Sequence, residues 1–407
     1  MVTGPRGTQA RRRSARSVWR NIHLGLALIL GGLFAFLGVS GSLLVFHDEI
    51  DALLNSELLT RQSDAPRDLP IAGLVATVAA EIGPVRRIDL AVASDGVHRM
   101  QVASRDEPSE LLEVTMDPAS GERLGTRPWR RHLIAVVYDL HYSLLAGRIG
   151  RDLVGYSGLA LLVSVGSGIY LWWPRHGGFA KALRVKRRAA GARRLYDIHK
   201  SVGLPTALLL CVLAFSGVSL QFPETTRAAA VWLLPASPPE ADREAPDPSS
   251  TNGPTSTNGP SPINDPSSAN GPALETALAR ARTLVPDGRV RRIVMPNAGS
   301  DSYRIHLRRP GEVRRSGGLN IVWVNAASGE VEATRLARDY SAADWFLAWQ
   351  FPLHNGEAAG LTGRWIVFGL GFVPLALYVT GIGIWWKKRR ARARRSTSGR
   401  ALSPFLG

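Results

Sequence analysis

One stretch of this chain occurs twice without a gap. His141, Gly147, Gly150, Arg151, Gly168 and Trp173 return as His354, Gly360, Gly363, Arg364, Gly381 and Trp386, each 213 residues further on. A second set repeats at an offset of 176, pairing Ile22-His23 with Ile198-His199, Ser40-Gly41 with Ser216-Gly217, and Phe46 with Phe222. Fixed offsets over so many positions imply an internal duplication, so the chain must fold as two like halves. Both copies run in the same direction, which implies a pseudo-twofold axis along a membrane normal.

The membrane follows from where the apolar residues lie. Ile22–Phe46 holds no ionised side chain, and as a helix it would be roughly 36 Å long, enough to cross a bilayer. It is too long for a signal-peptide core and no small-residue cleavage site follows, so it reads as an uncleaved first span. Leu153–Trp173, Val202–Phe222 and Trp365–Trp386 are the other three. Trp172-Trp173 and Trp385-Trp386 read as interface anchors.

The formal net charge is +17. Its arginine clusters abut the apolar blocks, a pattern of membrane topology and not of nucleic-acid binding. With four spans every basic cluster falls on one side, which puts both termini in the cytoplasm of a multi-pass protein of the bacterial inner membrane. The expected fold is an α-helical membrane protein with four transmembrane helices in two parallel repeats and two extracytoplasmic α+β domains. A basic tail (1–21) leads into spans 22–47, 152–173, 201–222 and 363–386. The outer domains are 48–128 and 273–338, followed by interfacial segments 129–151 and 339–362. A basic loop (174–200), a linker (223–272) and a basic tail (387–407) complete the chain.

In the first outer domain the apolar spacing over Pro70–Gly83 predicts an amphipathic helix. Strand-like pieces follow at Val85–Val92, His98–Ala103 and Leu111–Thr115, with a glycine turn over Asp117–Glu122. The second domain echoes this: Val290-Arg291-Arg292-Ile293 matches Val85-Arg86-Arg87-Ile88, and Ala327-Ser328-Gly329-Glu330 matches Ala119-Ser120-Gly121-Glu122. Residues 223–272 repeat Asn-Gly-Pro three times and read as a disordered linker. The single cysteine, Cys211, excludes an internal disulfide, a cysteine-based metal cluster and Cys-x-x-Cys-His haem attachment.

Of nine histidines, four obey the repeat: His23, His199, His141 and His354. His47 and His132 have Pro223 and Trp345 as their equivalents. A twofold axis brings equivalent residues to one depth, so His23 faces His199 near one membrane surface and His141 faces His354 near the other. Pairing within a copy would have to bridge the roughly 30 Å bilayer core. Structural zinc wants four protein ligands and catalytic zinc three. Two histidines with no nearby cysteine fit haem better, because the porphyrin supplies the other four iron ligands. Asp139 and Asp197 each precede a histidine by two residues, which on a helix is another face. The many glycines of the spans either ease helix packing or let a flat ring approach. Arg151 and Arg364 open the returning spans and could meet lipid phosphate or haem propionates.

These residues carry a resemblance. Ile22-His23 through Phe46-His47-Asp48-Glu49, Leu140-His141 through Trp172-Trp173-Pro174, Asp197-Ile198-His199 through Gly217, and Leu353-His354 through Trp386 resemble the PepSY-associated transmembrane helix family. Its outer domains resemble PepSY domains. Members include inner-membrane reductases of ferric siderophores that carry two haems. The resemblance therefore implies two b-type haems on His23, His199, His141 and His354. An unidentified donor would supply the electrons, and a ferric siderophore or other ferric chelate would receive them. The Asn-Gly-Pro linker departs from the family pattern. A rival reading is a non-enzymatic sensor or accessory subunit whose PepSY domains bind a peptide or partner protein. A metal transporter fits less well, because the spans lack Asp or Glu at mid-depth.

Overall fold

The computed structural model describes residues 15–63, 69–91, 96–173, 191–236, 271–297 and 300–401. The chain divides into two compact units, each drawing on both copies of the repeat. The first comprises 1–39, 156–215 and 369–407, and the second 40–155 and 216–368.

Among the described residues three helices are long and apolar enough to cross a membrane: Gly147–Trp172 (α7), Ala192–Gln221 (α8) and the run Glu357–Arg394. The last is Gly360–Gly371 (α12) and Val373–Ala401 (α13), with a break at Phe372. The expected first span is not one straight helix. Ala15–Ile29 (α1) and Gly31–Val45 (α2) are bent by 59°, and the pair makes a fourth span if counted as one. A glycine pair is a common cause of such a kink. Here Gly31 lies so close to the Tyr378 ring that a Cβ would overlap it, and a Cβ at Gly38 would overlap the Gly371 carbonyl. At Gly38, α2 thus meets the end of α12 at backbone distance, and at Gly31 it meets a ring of α13.

The second unit holds an eight-stranded antiparallel sheet in the order β4-β3-β2-β1-β5-β6-β7-β8. The first four strands are Val85–Asp89, His98–Ala103, Leu111–Met116 and Arg123–Pro128, and the last four Arg289–Val294, Ser302–Arg308, Asn320–Asn325 and Val331–Arg335. The two outer domains read from the sequence are therefore halves of one sheet. They join where β1 runs antiparallel to β5, with Ile88 opposite Ile293 and Asp89 opposite Arg292. Antiparallel pairing of equivalent strands is what a local twofold produces.

Helices Ile71–Glu81 (α5) and Gly271–Leu284 (α10) cover one face of this sheet. Their Val75, Val78, Leu274 and Leu278 pack on Ile88, Met100, Ile293 and Ile305 in one shared core. Alternation along each strand sends charged residues to the other face. There Arg292 Nε lies 2.6 Å from Asp89 Oδ1 across the seam. The two predicted turns form as expected: Asp117 accepts from the amides of Ala119 and Ser120, and Asn325 from those of Ala327 and Ser328.

The linker reading is corrected at its start. Pro223–Leu233 is a helix (α9) with proline in its first turn, where the missing N–H costs nothing. Most of the remaining linker, residues 237–270, and most of the basic loop, 174–190 with His176, lie outside the described residues. The basic tails are partly helical, since α1 begins at Ala15 and α13 runs on to Ala401.

Candidate functional site

The repeated glycines explain how two of the histidines are placed. His141 lies near the end of Leu133–Ser143 (α6) and His354 near the end of Ala342–Asn355 (α11). Each helix must stop there so that the chain can turn into the next one. In the first copy the corner uses Leu144 and Leu145 at φ 52° and 56°, a left-handed conformation that β-carbons disfavour. In the second it uses Gly356 at φ 84°. Gly147 and Gly360 also take positive φ. Gly150 and Gly363 let the turned chain close up, since a Cβ on either would overlap the carbonyl of Ser143 or Gly356. The other two histidines sit inside helices, His23 in α1 and His199 in α8.

Within the first unit the rings of His23 and His199 have centroids 6.4 Å apart with planes at 84°. Within the second, the His141 and His354 centroids are 6.2 Å apart with planes at 47°. The structure thus brings the four repeated histidines into the two expected pairs.

Each ring also meets a hydroxyl through Nδ1 and a glycine through Cε1. His23 Nδ1 donates to the Ser164 carbonyl and to Ser167 Oγ, both at 3.0 Å. His199 Nδ1 lies 2.9 Å from Thr380 Oγ1. His141 Nδ1 is 3.1 Å from Ser40 Oγ, and His354 Nδ1 is 3.2 Å from Ser216 Oγ. A Cβ on Gly41 or Gly217 would come within 2.9 Å of Cε1 of His141 or His354. The same atom on Gly168 would be 3.3 Å from His23, and on Gly381 3.7 Å from His199. Every repeated histidine is therefore seated on a hydroxyl–glycine dipeptide: Ser167-Gly168, Thr380-Gly381, Ser40-Gly41 or Ser216-Gly217.

Two imidazoles on opposite sides of one metal, each bonded at ~2 Å, have ring centroids roughly 6 Å apart. Both pairs meet that spacing. With Nδ1 held by a hydroxyl, Nε2 is the nitrogen a metal would take, and the hydroxyl fixes the ring that presents it. Among the described residues no group of three or more His, Cys, Asp or Glu side chains is placed to hold a metal ion. Each pair would offer a metal two imidazoles, a set that suits a metal arriving in its own macrocycle. Asp139 and Asp197 take no part, being bound to Arg130 at 2.7 Å and Lys200 at 2.9 Å.

Symmetry treats Arg151 and Arg364 alike, but the structure separates them. Arg364 is buried, grips both Glu49 oxygens at 2.6 Å, and donates to the Val45 carbonyl at the end of α2. Burial pushes the Glu49 pKa up, but the Arg364 hydrogen bonds and charge outweigh it and hold it below the usual range. Arg151 is half-buried at the start of α7. Its equivalent of Glu49 would be Thr225, which carries no charge to pair with it.

Three of the histidines outside the repeat have local work. His132 caps α6 by accepting from the Ala135 amide, and burial and then Arg127 push its pKa down. His47 bonds the Leu44 carbonyl, and His98 accepts from the Ala91 amide.

The four hydroxyls escaped sequence reasoning as partners, although Ser40 and Ser216 stood in the repeat. The missed signal was that all four glycines facing histidines follow a serine or threonine.

No curated protein matches the chain. A family profile described as the PepSY-associated TM region matches residues 20–388, which take in all four repeated histidines and all eight strands. The chain belongs to the PepSY-associated TM region family.

Proposed function

We propose that this protein is an electron carrier of the bacterial inner membrane that holds a b-type haem in each histidine pair and reduces a ferric siderophore or similar ferric chelate on the outer face. The observation that carries this reading is the double pairing: centroids 6.4 and 6.2 Å apart, every Nδ1 against a hydroxyl and every Cε1 against a glycine. Core histidines kept only for packing would not need the same seat four times.

A haem between two imidazoles supplies a one-electron couple with no open iron position, which suits outer-sphere reduction of a chelate. The protein's residues do the rest. The hydroxyls hold the imidazoles in one orientation. The glycines admit the rings between helices. Arg151 is the better partner for an anionic group, propionate or lipid phosphate, because Arg364 is committed to Glu49. In this reading α1–α2 count as one span. The basic segments 1–21, 174–200 and 387–407 then lie in the cytoplasm, and the sheet lies outside.

The test is to purify the full-length protein, reduce it anaerobically and add a ferric chelate. The expected outcome is reoxidation of the haem absorbance with stoichiometric capture of ferrous iron by a chromogenic chelator. A haem-loaded protein that no ferric chelate reoxidises would refute the acceptor. A protein purified without haem would leave the sensor or accessory-subunit role in its place.

A further inference from the structure

We propose that Ser40, Ser167, Ser216 and Thr380 are positioning residues that set how strongly each histidine donates to iron, and so hold the reduction potentials of both centres low. This rests on the reading that the pairs ligate haem. Four dipeptides of hydroxyl residue and glycine meet four histidines, and each comes from the same copy of the repeat as its ring. Helix packing accounts for the glycines. It does not account for a hydroxyl beside Nδ1 four times.

Ligation through Nε2 requires the proton to sit on Nδ1, so each hydroxyl must then accept from its ring. At the first pair the structure already fixes that direction. The Ser164 carbonyl can only accept from His23. Ser167 spends its own proton on that same carbonyl at 2.8 Å, which leaves its lone pairs for the imidazole. Thr380 donates to the Ala376 carbonyl at 2.7 Å, and the Leu377 carbonyl accepts from His199 as well. Serine and threonine in membrane helices often bond back to their own helix, and here that bond is what turns the acceptor side toward the ring. A proton drawn away from Nδ1 leaves Nε2 the stronger donor, which favours ferric over ferrous iron.

The experiment is a potentiometric titration of the purified full-length protein, followed by haem absorbance. Wild type is compared with Ser216→Ala, Ser216→Thr, Thr380→Val and Thr380→Ser. Ser216→Ala should raise the midpoint of the second centre alone, and Thr380→Val that of the first alone. Each should also loosen the affected haem by roughly tenfold or more. Ser216→Thr and Thr380→Ser keep an acceptor and should return both readings toward wild type. The two arms are independent, so a folding failure in one leaves the other decisive. Unmoved midpoints in a protein that carries two haems would overturn the tuning role and leave the ligation standing. A wild type without haem would overturn both.

Discussion

The two histidine pairs are built from the same parts in opposite order. At the first, the histidines sit on α1 and α8 and the hydroxyl–glycine dipeptides on α7 and α13. At the second, the dipeptides sit on α2 and α8 and the histidines on α6 and α11. The first pair is set inside helices. The second sits near helix ends, just before a corner with two strained leucines in one copy and a glycine in the other. Its glycines are also tighter, with room for a Cβ only at 2.9 Å against 3.3 and 3.7 Å at the first. The same chemistry thus rests on a tolerant mount in one unit and an exacting one in the other.

The glycines give the sharpest way to break this comparison. Gly41→Ala and Gly217→Ala should each strip most of the haem from the second centre, because an imidazole held between helices cannot yield the missing space without leaving its seat. Gly168→Ala should weaken the first centre less, and Gly381→Ala should hardly touch it. Haem per chain, read from the absorbance of each purified variant, checks the order. Equal losses at all four would mean the two mounts do not differ.

A smaller effect is expected at the two arginines. Arg364→Gln should destabilise the second unit by about 2 kcal/mol, the scale of hydrogen bonds to a charged group, tempered by the exposure of Glu49. Arg151→Gln should leave thermal stability nearly unchanged but lower haem retention if its partner is a propionate. A thermal melt monitored at the haem band separates the two results. Equal destabilisation by both would restore the symmetry that the structure lacks.

The smallest effect concerns pH. Burial pushes the Asp89 pKa up, but Arg292 and then Arg87 outweigh it and bring it down to about 2. A carboxyl in the unfolded chain titrates near ~3.9. The depressed native value therefore stabilises the sheet above that pH, and this contribution is lost as pH falls from about 4 to about 2. Acid should perturb the second centre, which shares its unit with the sheet, before the first. Asp89→Asn should flatten that dependence in a haem-spectrum titration. An unchanged acid transition in Asp89→Asn would remove the seam pair from the account.

The sequence made the histidines and glycines legible because duplication repeats what both copies need. It concealed the serines' role because a hydroxyl in a membrane helix has an ordinary use in bonding its own backbone, as Ser167 and Thr380 also do. The single sheet was hidden for a different reason. Ile88 and Ile293 pair across some two hundred residues, and strand patterning reports only which face is buried, not which strand lies alongside. Arg123–Pro128 went unread as a strand because glycine, proline and two arginines blur its alternation, as suits an edge. The bend at Leu30 lies beside Gly31-Gly32, but the unbroken apolar run Ile22–Phe46 concealed it. Pro223 looked like the start of a linker and is instead the start of a helix.

The most direct test of the central claim is haem stoichiometry in the full-length protein and in His199→Ala and His354→Ala. The account predicts two haems per chain in wild type and one in each variant. His199→Ala should lose the centre with near-perpendicular imidazoles and His354→Ala the tilted one, as electron paramagnetic resonance would distinguish. Haem content and spectra untouched by both substitutions would contradict it.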